Sequence, residues 1–315
     1  MPAEPAPAPT ADPWSRVSVV VVTHHSGGVI RQCLEPLGKA AKIVIVDNAS
    51  ADDTLDIVAQ AAPDSTILRN RVGAGYGNGA SQGLAEVDTE FALLANPDAV
   101  VSDQALALLV EAADAHADGG LFGPTVVDAG GNVELSHDIG LFDRRSYGGR
   151  DGEPPPDGPC CAEFLSGAVT LLRLSAYRAV GPFDPRLFLY YEDDDFCMRL
   201  RAAGISLILV PGAVVSHIGG GSVRPSAYYY WEKYWHMAWS RLYIEEKYRG
   251  SAARRRTANA NLLRFTLKAL GNAVTLRRAK AWRDLARLFG TAGYMLGVPA
   301  SRTVSEARPP RSEIS

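Results

Sequence analysis

Short runs of Val, Ile and Leu without polar alternation recur in the first third of the chain, and they constrain its fold most. The first two are residues 17–23 and 42–47, and shorter runs follow at 65–68 and 90–95. Uninterrupted apolar runs of this kind are typical of strands buried on both faces of a parallel sheet. Helical patterns separate the runs, so residues 17–117 predict repeated βαβ units. We therefore expect an α/β fold with a mostly parallel central sheet flanked by helices.

Two of the helical patterns carry their own start and stop signals. Residues 29–41 predict a helix that Pro36 must kink or end, because proline removes a backbone donor and clashes with the preceding turn. Ser50 and Asp53 have the spacing of a capping box, which would open a helix over residues 54–62. Further along, residues 164–173 predict one more strand, with Gly167 inside it where a ligand or a second backbone can come close.

Polar side chains follow two of the predicted strands at the point where each strand ends. Asp47 ends the second strand, and Asn96 and Asp98 come directly after the fourth. Ligands of open α/β sheets bind at the carboxyl ends of the strands. The topology therefore predicts that these side chains share one site with the glycine-rich segment at 70–83.

The glycine-rich segment has two interpretations that the residues leave open. Its backbone amides can cradle a diphosphate, or the segment can be a flexible turn. It lacks the Lys-Ser/Thr end of a P-loop. It also follows the third strand rather than the first, which argues against a dinucleotide-binding Rossmann motif and an oxidoreductase.

The turn Asn96-Pro97-Asp98 also allows two interpretations. It is either a type I β-turn with proline in its second position or the source of a carboxylate for a divalent cation that holds phosphate oxygens. His217, which follows a later strand, is a candidate second ligand. A lone histidine is more often structural, since a single ligand has no metal spacing.

Four consecutive carboxylates stand at residues 192–195, directly after five apolar or aromatic residues. Phe196, Leu200 and Ala203 then repeat at helical spacing, so the acids occupy the first turn of a helix, where the helix dipole favours negative charge. An ordinary acidic helix start is one interpretation. The other is a functional site, because adjacent carboxylates repel one another and gain from a cation or a proton-transfer role.

Composition indicates a globular chain, with 47% hydrophobic and 21% charged residues. No apolar run approaches the ~20 residues of a membrane span. The Pro/Ala-rich residues 1–15 predict a disordered tail without a signal peptide. The four cysteines show no zinc spacing and fit a reducing compartment. We therefore expect a cytoplasmic protein.

The C-terminal part differs in charge from the rest of the chain. Residues 250–315 hold 13 basic and 3 acidic residues in a chain whose formal net charge is −3. Residues 1–249 are therefore acidic overall, which argues against nucleic-acid binding by this part of the chain. Residues 227–248 predict an aromatic helix, whose stripe is more often core than a sugar platform, and residues 260–296 predict amphipathic helices. The basic extension either contacts an anionic membrane peripherally or packs on the body.

Seven motifs now stand in a fixed order along most of the chain. The chain resembles family-2 glycosyltransferases of the GT-A fold, closest to the rhamnosyltransferase-like branch. The resemblance implies a domain at 16–248, with a nucleotide-binding half at about 16–118 and an acceptor half at about 119–248, and a basic helical extension at 249–315 with a disordered end. The motifs are residues 19–23, 46–50, 75–77, 94–98, 166–168, 192–199 and His217.

The resemblance implies an inverting, metal-dependent hexosyltransferase that uses a nucleoside-diphosphate sugar, rhamnose among the candidates. The acceptor would be a glycan or polyprenyl-linked hydroxyl in cell-surface polysaccharide synthesis. Asp193 looks like the catalytic base, with Glu192 and Asp195 orienting it. Asp98 and His217 look like the contacts for Mg²⁺ or Mn²⁺. The residues implied for binding the nucleotide sugar are Thr23, Asp47, Asn48, Gly75, Tyr76, Gly77, Asn96 and Gly167.

Two other classes of protein share part of this pattern. One is a non-catalytic protein of the same fold in a polysaccharide-assembly complex, and measurable sugar transfer would exclude it. The other is a nucleotide-dependent oxidoreductase, which a nicotinamide titration would detect.

Overall fold

A computed structural model of the chain describes residues 12–134, 137–143, 156–217 and 226–300. Most of the predicted N-terminal tail and residues 301–315 of the predicted C-terminal extension lie outside these residues. The structure corrects the prediction at the inner end of this tail, which is ordered. Pro13–Arg16 forms a 3₁₀ turn, and Trp14 is buried with its indole N–H donating to Asp103. A large aromatic side chain with a satisfied polar atom is a strong anchor to a core.

The central sheet confirms the predicted α/β architecture. Among the described residues its strand order is β3-β2-β1-β4-β10-β6-β11-β5, and β8 pairs with β11 on a side branch. Strands β1 to β4 are parallel to one another, whereas β10 runs antiparallel between β4 and β6. The strands are β1 (Val17–Thr23), β2 (Lys42–Asn48), β3 (Thr66–Asn70), β4 (Phe91–Ala95), β5 (Ala99–Val100), β6 (Gly119–Val127), β7 (His137–Asp138), β8 (Cys160–Ala162), β9 (Phe164–Leu165), β10 (Val169–Arg173) and β11 (Ser206–His217).

Helices cover both faces of this sheet, and β1 shows why. Val19 and Val21 belong to one apolar core, and Val20 and Val22 belong to the other. Both faces of the strand are therefore buried, as the uninterrupted valine run predicts. The helices are α1 (Ile30–Leu34), α2 (Thr54–Ala61), α3 (Tyr76–Leu84), α4 (Asp103–Ala115), α5 (Leu174–Val180), α6 (Glu192–Ala202), α7 (Ala227–Val274) and α8 (Arg278–Met295).

Two local predictions need correction. The helix predicted over 29–41 ends early, because Pro36 converts its last part to the 3₁₀ turn Glu35–Leu37. The predicted capping box does not form at α2. Ser50 accepts a hydrogen bond from the amide of His25, and the side chain of Asp52 accepts from the amide of Thr54 instead.

The glycine-rich segment is also more ordered than a loop. Helix α3 begins at Tyr76 and contains three of its glycines. A Cβ atom at Gly79 would lie 2.8 Å from Val22, and one at Gly83 would lie 2.4 Å from Val20. Glycine costs a helix about 1 kcal/mol relative to alanine. Here it lets α3 approach β1 more closely than any other residue permits.

The C-terminal helices form a hairpin. Helix α7 is interrupted at Gly250, whose φ of +79° is not helical, and the predicted boundary at 248/249 falls beside this kink. Helix α8 packs back on both halves of α7. The ring centroids of Trp231 and Trp282 are 4.6 Å apart, and the Trp239 indole N–H donates to Val298. The aromatic stripe is therefore mainly packing surface. Within the described residues, no helix combines the length and apolarity needed to cross a bilayer.

Candidate active site

The ends of β1 and β2 hold two of the predicted binding residues in direct contact. The hydroxyl of Thr23 donates to one oxygen of Asp47 at 3.1 Å, and the amide of Ser50 donates to the other at 3.1 Å. Thr23 and Asp47 are both buried. These bonds fix the orientation of the Asp47 carboxylate, which lies at the carboxyl edge of the sheet where the topology placed it.

Asn48, the last residue of β2, ties the sheet to the glycine-rich segment. Its side-chain N–H₂ group donates to the carbonyl of Gly75 at 3.0 Å, and its side-chain oxygen accepts from the amide of Ala74 at 3.2 Å. The side chain of Asn48 thus holds two adjacent residues of this loop in place. The start of α3 is therefore fixed relative to Asp47.

Gly75 and Gly77 are placed against the segment that leads into the four acids. Gly75 has a φ of +85°, and a Cβ atom there would lie 2.0 Å from the carbonyl oxygen of Phe188. The same carbonyl accepts from the amide of Tyr76 at 3.3 Å. A Cβ atom at Gly77 would lie 3.2 Å from the Cβ atom of Glu192. Close approach to the Phe188 backbone accounts for glycine at 75, and crowding by neighbouring side chains accounts for it at 77.

Gly167 is the point where three predicted motifs meet. The hydroxyl of Tyr76 donates to its carbonyl at 3.1 Å, and its amide donates to the Asp193 carboxylate at 3.4 Å. The carbonyl of the next residue, Ala168, accepts from the amide of Asn96 at 2.8 Å. The predicted strand 164–173 is broken here into β9 and β10, which leaves this backbone available to all three partners.

The four acids begin α6 after an unusual backbone turn. Tyr190 and Tyr191 both have positive φ values, 66° and 69°. Bulky residues in this conformation are strained and are held by their surroundings. The turn sets the direction in which the first carboxylates of α6 point.

The environments of the four acids differ sharply. Asp193 is half-buried, whereas Glu192, Asp194 and Asp195 are buried. Oxygen Oε2 of Glu192 has no hydrogen-bond partner among the described residues. Burial, and next the charge of Asp193, raise the pKa of Glu192 well above its ordinary value. Glu192 therefore favours its protonated form beside the more accessible Asp193.

Asp195 is fully enclosed and anchors the helix. Its carboxylate accepts from Arg199 at 3.0 Å, from the hydroxyl of Tyr248 at 2.8 Å and from the ammonium group of Lys247. With no exposed surface, the carboxylate does not face a ligand. It joins α6 to α7, so its contribution to Asp193 is positional.

Asp98 and His217 lie together, as the sequence predicts. Ala99 and His217 are register partners in the antiparallel pair of β5 and β11. Nε2 of His217 is 3.2 Å from a carboxylate oxygen of Asp98, and Nδ1 is 2.9 Å from a carboxylate oxygen of Glu134. The hydrogen bond to Asp98 is the largest cause that raises the pKa of His217 to about 9, against the opposing effect of burial.

Several contributing residues are absent from the sequence prediction. Glu134 supports His217, Lys247 and Tyr248 hold Asp195, and the Phe188 carbonyl receives the glycine segment. Lys247 and Tyr248 stand at the end of the predicted aromatic helix, which was a usable signal. Glu134 lies in an irregular segment, and no local pattern distinguishes it.

The comparisons with known proteins support one family. Residues 18–169 match the model of glycosyl transferase family 2. With the rhamnosyltransferase relative described next, this match over just under half of the chain supports a family-2 glycosyltransferase. The matched range of this glycosyltransferase contains Asp47, the glycine segment, Asp98 and Gly167, whereas the acidic helix and His217 follow it.

A characterised relative and two solved structures are similar to this glycosyltransferase. N-acetylglucosaminyl-diphospho-decaprenol L-rhamnosyltransferase of Mycobacterium tuberculosis is 28% identical over 229 residues, 63% of this chain and 75% of the relative. Mannosyltransferase PcManGT of Pyrobaculum calidifontis, solved with GDP-Man and Mn²⁺, superposes with a TM-score of 0.55 at 16% identity, over 90% of this chain and 87% of that one. GalNAc-T7 gives a TM-score of 0.51 at 16% identity, over 64% of this chain and 43% of that one. The two structural likenesses bear on the fold and confirm the GT-A prediction.

Proposed function

We propose that this family-2 glycosyltransferase moves a sugar from a nucleoside-diphosphate sugar to a hydroxyl group of a lipid-linked glycan in cell-surface polysaccharide synthesis. The mycobacterial relative supports the acceptor class, since its name specifies a diphospho-decaprenol acceptor and rhamnosyl transfer. The neighbour solved with GDP-Man and Mn²⁺ supports the donor class. Within the chain, the observation that carries the proposal is that Asp193 and Tyr76 both bind the backbone of Gly167.

Asp193 is the candidate base because it is the most accessible of the four acids and stands at this junction. It takes the proton of the acceptor hydroxyl as the oxygen attacks the anomeric carbon. The new C–O bond forms on the face opposite the departing diphosphate, so the configuration inverts. A positioned general base of this kind contributes about 10²–10⁴-fold in rate.

Glu192 supports this role through its protonation state. Two adjacent ionised carboxylates in a buried site repel, and the site relieves this by keeping one of them neutral. The raised pKa of Glu192 makes it the neutral partner. Asp193 then stays ionised and able to accept a proton, while the Glu192 O–H can donate a hydrogen bond into the site.

Asp98 and His217 fit a divalent cation in the chemistry of their donor atoms. A carboxylate oxygen and an imidazole nitrogen lie within 3.2 Å of each other, and both atom types ligate Mn²⁺ once His217 has released its proton. Within the part of the chain that the structure describes, no group of three or more His, Cys, Asp or Glu side chains is placed to hold a metal. Diphosphate oxygens and water would complete the coordination, as is usual for Mg²⁺. When bound, the cation neutralises the charge of the leaving diphosphate.

The base is tested with Asp193→Asn, and Asp64→Asn, an exposed acid after α2, is the matched control. We expect Asp193→Asn to lose sugar transfer by at least about 100-fold while its donor affinity changes little. A panel of nucleotide sugars, scored by thermal shift with Mn²⁺, identifies the donor first, because a ligand of the native state raises apparent stability. Full transfer by Asp193→Asn would remove it as the base.

The metal is tested with Asp98→Ala in nucleotide titrations with and without Mn²⁺. We expect the variant to lose most of the metal-dependent gain in nucleotide affinity and to keep the metal-independent part. Equal gains in wild type and variant would refute the role of Asp98.

A further inference from the structure

The second half of α7, residues 251–274, and α8 form a hairpin that has two apolar sides. Phe265 and Ala269 are buried on the side that faces α8. Four other apolar residues point away from α8. Their spacings of four, three and four residues place them on one helix face. They are Leu263, Leu267, Leu270 and Val274, and their exposed fractions are 66%, 61%, 60% and 83%.

Exposed apolar residues scattered singly need no explanation, but a continuous stripe of them marks an interaction surface. This stripe covers about three helical turns and continues at Leu276, which is 80% exposed in the turn between the helices. The stripe is the outer face of the hairpin, and α8 already packs against the inner face of α7. A face of this kind is suited to a partner that tolerates apolar side chains.

A basic pocket lies beside the end of the stripe. It has a volume of about 370 Å³, and four cations line it: Lys268, Arg277, Lys280 and Arg283. Arg283 pairs with the buried Asp284. The other three make no ion pair with an acidic side chain of the described residues, so their charges are available to an anion.

The position of Lys268 connects the two features. It follows Leu267 directly in α7, so its ammonium group emerges at the margin of the stripe. A helix that offers apolar side chains on one face and cations along its border has the pattern of a segment lying in the membrane interface. In such segments the cations reach headgroup phosphates and the apolar residues enter the boundary with the acyl chains.

We propose that the stripe and the pocket together dock this protein on an anionic phospholipid bilayer. The charge selects the occupant. Between residues 250 and 300 there are ten basic side chains and one acidic side chain, so this surface repels a second copy of itself and is attracted to negative lipid. The proposal rests on the proposed function only where it explains how the enzyme meets a lipid-linked acceptor.

Docking through this hairpin also orients the catalytic helix. The first half of α7 holds Asp195 through Lys247 and Tyr248. The membrane-facing hairpin continues from the same helix after the kink at Gly250. The position of α6 relative to the bilayer is therefore set by one continuous polypeptide segment.

The charge requirement is tested by flotation of the full chain with lipid vesicles, in the absence of donor and acceptor. The vesicles are phosphatidylcholine alone or with about one third phosphatidylglycerol, whose negative charge attracts basic residues near the surface. We expect binding to the anionic vesicles only, and a loss of about tenfold or more in partition coefficient for Arg277→Gln/Lys280→Gln. Arg31→Gln/Arg178→Gln, which removes two exposed charges from the body, is the control and should bind like wild type.

The apolar requirement is tested with Leu267→Ser/Val274→Ser against Thr266→Ser/Ala273→Ser on the same helix. We expect the first variant to lose vesicle binding while circular dichroism and size-exclusion elution stay unchanged, and the second to behave as wild type. Equal binding of the test and control variants, or equal binding to neutral and anionic vesicles, would overturn the proposal. So would a wild-type dimer that Leu267→Ser/Val274→Ser converts to a monomer. Because no substrate is present, a failure of the proposed sugar transfer would leave these results unaffected.

Discussion

Replacing Gly75 by alanine should damage both the stability of this glycosyltransferase and its catalytic helix. The φ of +85° with ψ of 170° at Gly75 belongs to a region that is essentially restricted to glycine and costs other residues about 1–3 kcal/mol. The new Cβ atom would lie 2.0 Å from the Phe188 carbonyl oxygen. Ordinary C···O contacts are about 3.3 Å or longer, so this carbonyl must move by more than about 1 Å.

The displacement also weakens the hydrogen bond that the amide of Tyr76 donates to Phe188, which is worth about 1 kcal/mol. The free energy of unfolding should therefore fall by about 2–4 kcal/mol. Phe188 leads through Tyr190 and Tyr191 into α6, so Asp193 moves with it. A misplacement of about 1 Å at a catalytic group can reduce the rate about 100-fold.

Urea unfolding measures the first effect, and initial rates of sugar transfer at saturating donor measure the second. Gly38→Ala is the matched control, because Gly38 has a helical φ of −60° and no atom lies within 4 Å of the position that its Cβ atom would take. It should change the free energy of unfolding by less than about 0.5 kcal/mol. If Gly75→Ala kept wild-type stability and turnover, the close contact between Gly75 and the Phe188 carbonyl would not determine the position of α6.

Two further substitutions test the polar contacts. His217 has a folded pKa of about 9, above its ordinary value of 6.5, so its pairing with Asp98 stabilises the fold fully below about pH 6.5 and is lost as the pH rises through 9. In metal-free buffer we expect the free energy of unfolding of wild type to exceed that of His217→Gln by about 1–2 kcal/mol at pH 6. Chemical unfolding should show this difference narrowing by pH 10. A difference that does not change with pH would contradict the stabilising pair of His217 and Asp98. Lys247→Met removes one cation from the buried Asp195. It should lower the free energy of unfolding by about 2–3 kcal/mol, because Arg199 remains paired with Asp195. It should also lower the rate of sugar transfer more than it lowers donor affinity. Lys268→Met, at an exposed site in the same helix, should cost less than about 0.5 kcal/mol, and equal losses in the two variants would refute the anchoring role of Lys247.

The fold was predictable from sequence where one physical requirement dominated. A strand buried on both faces can tolerate almost no polar residue, and β1 shows this, because Val19 and Val20 enter different cores. The topological rule for strand ends likewise placed Asp47 at the sheet edge. These predictions depend on local pattern and on chain topology, both of which are written in a single sequence.

Other features depend on contacts between distant segments. The glycine content predicts a loop at 70–83 that grades into a helix, and the helix begins earlier, at Tyr76, because Gly79 and Gly83 allow α3 to lie against Val20 and Val22. The partner of His217 on its Nδ1 side, Glu134, comes from a segment far away along the chain. No spacing rule relates such residues, so only the folded chain reveals them.

The acidic segment shows how folding resolves a conflict that the sequence contains. Four adjacent carboxylates should repel, and successive residues of a helix point about 100° apart, so each acid reaches a different environment. Asp195 is neutralised by Arg199 and Lys247, and the raised pKa of Glu192 removes its charge instead. The repulsion around Asp193 is thus reduced, and Asp193 is the most accessible of the four acids. A cluster that could have served as an ordinary helix start is divided into one anchor, one neutral neighbour, one candidate base and the buried Asp194.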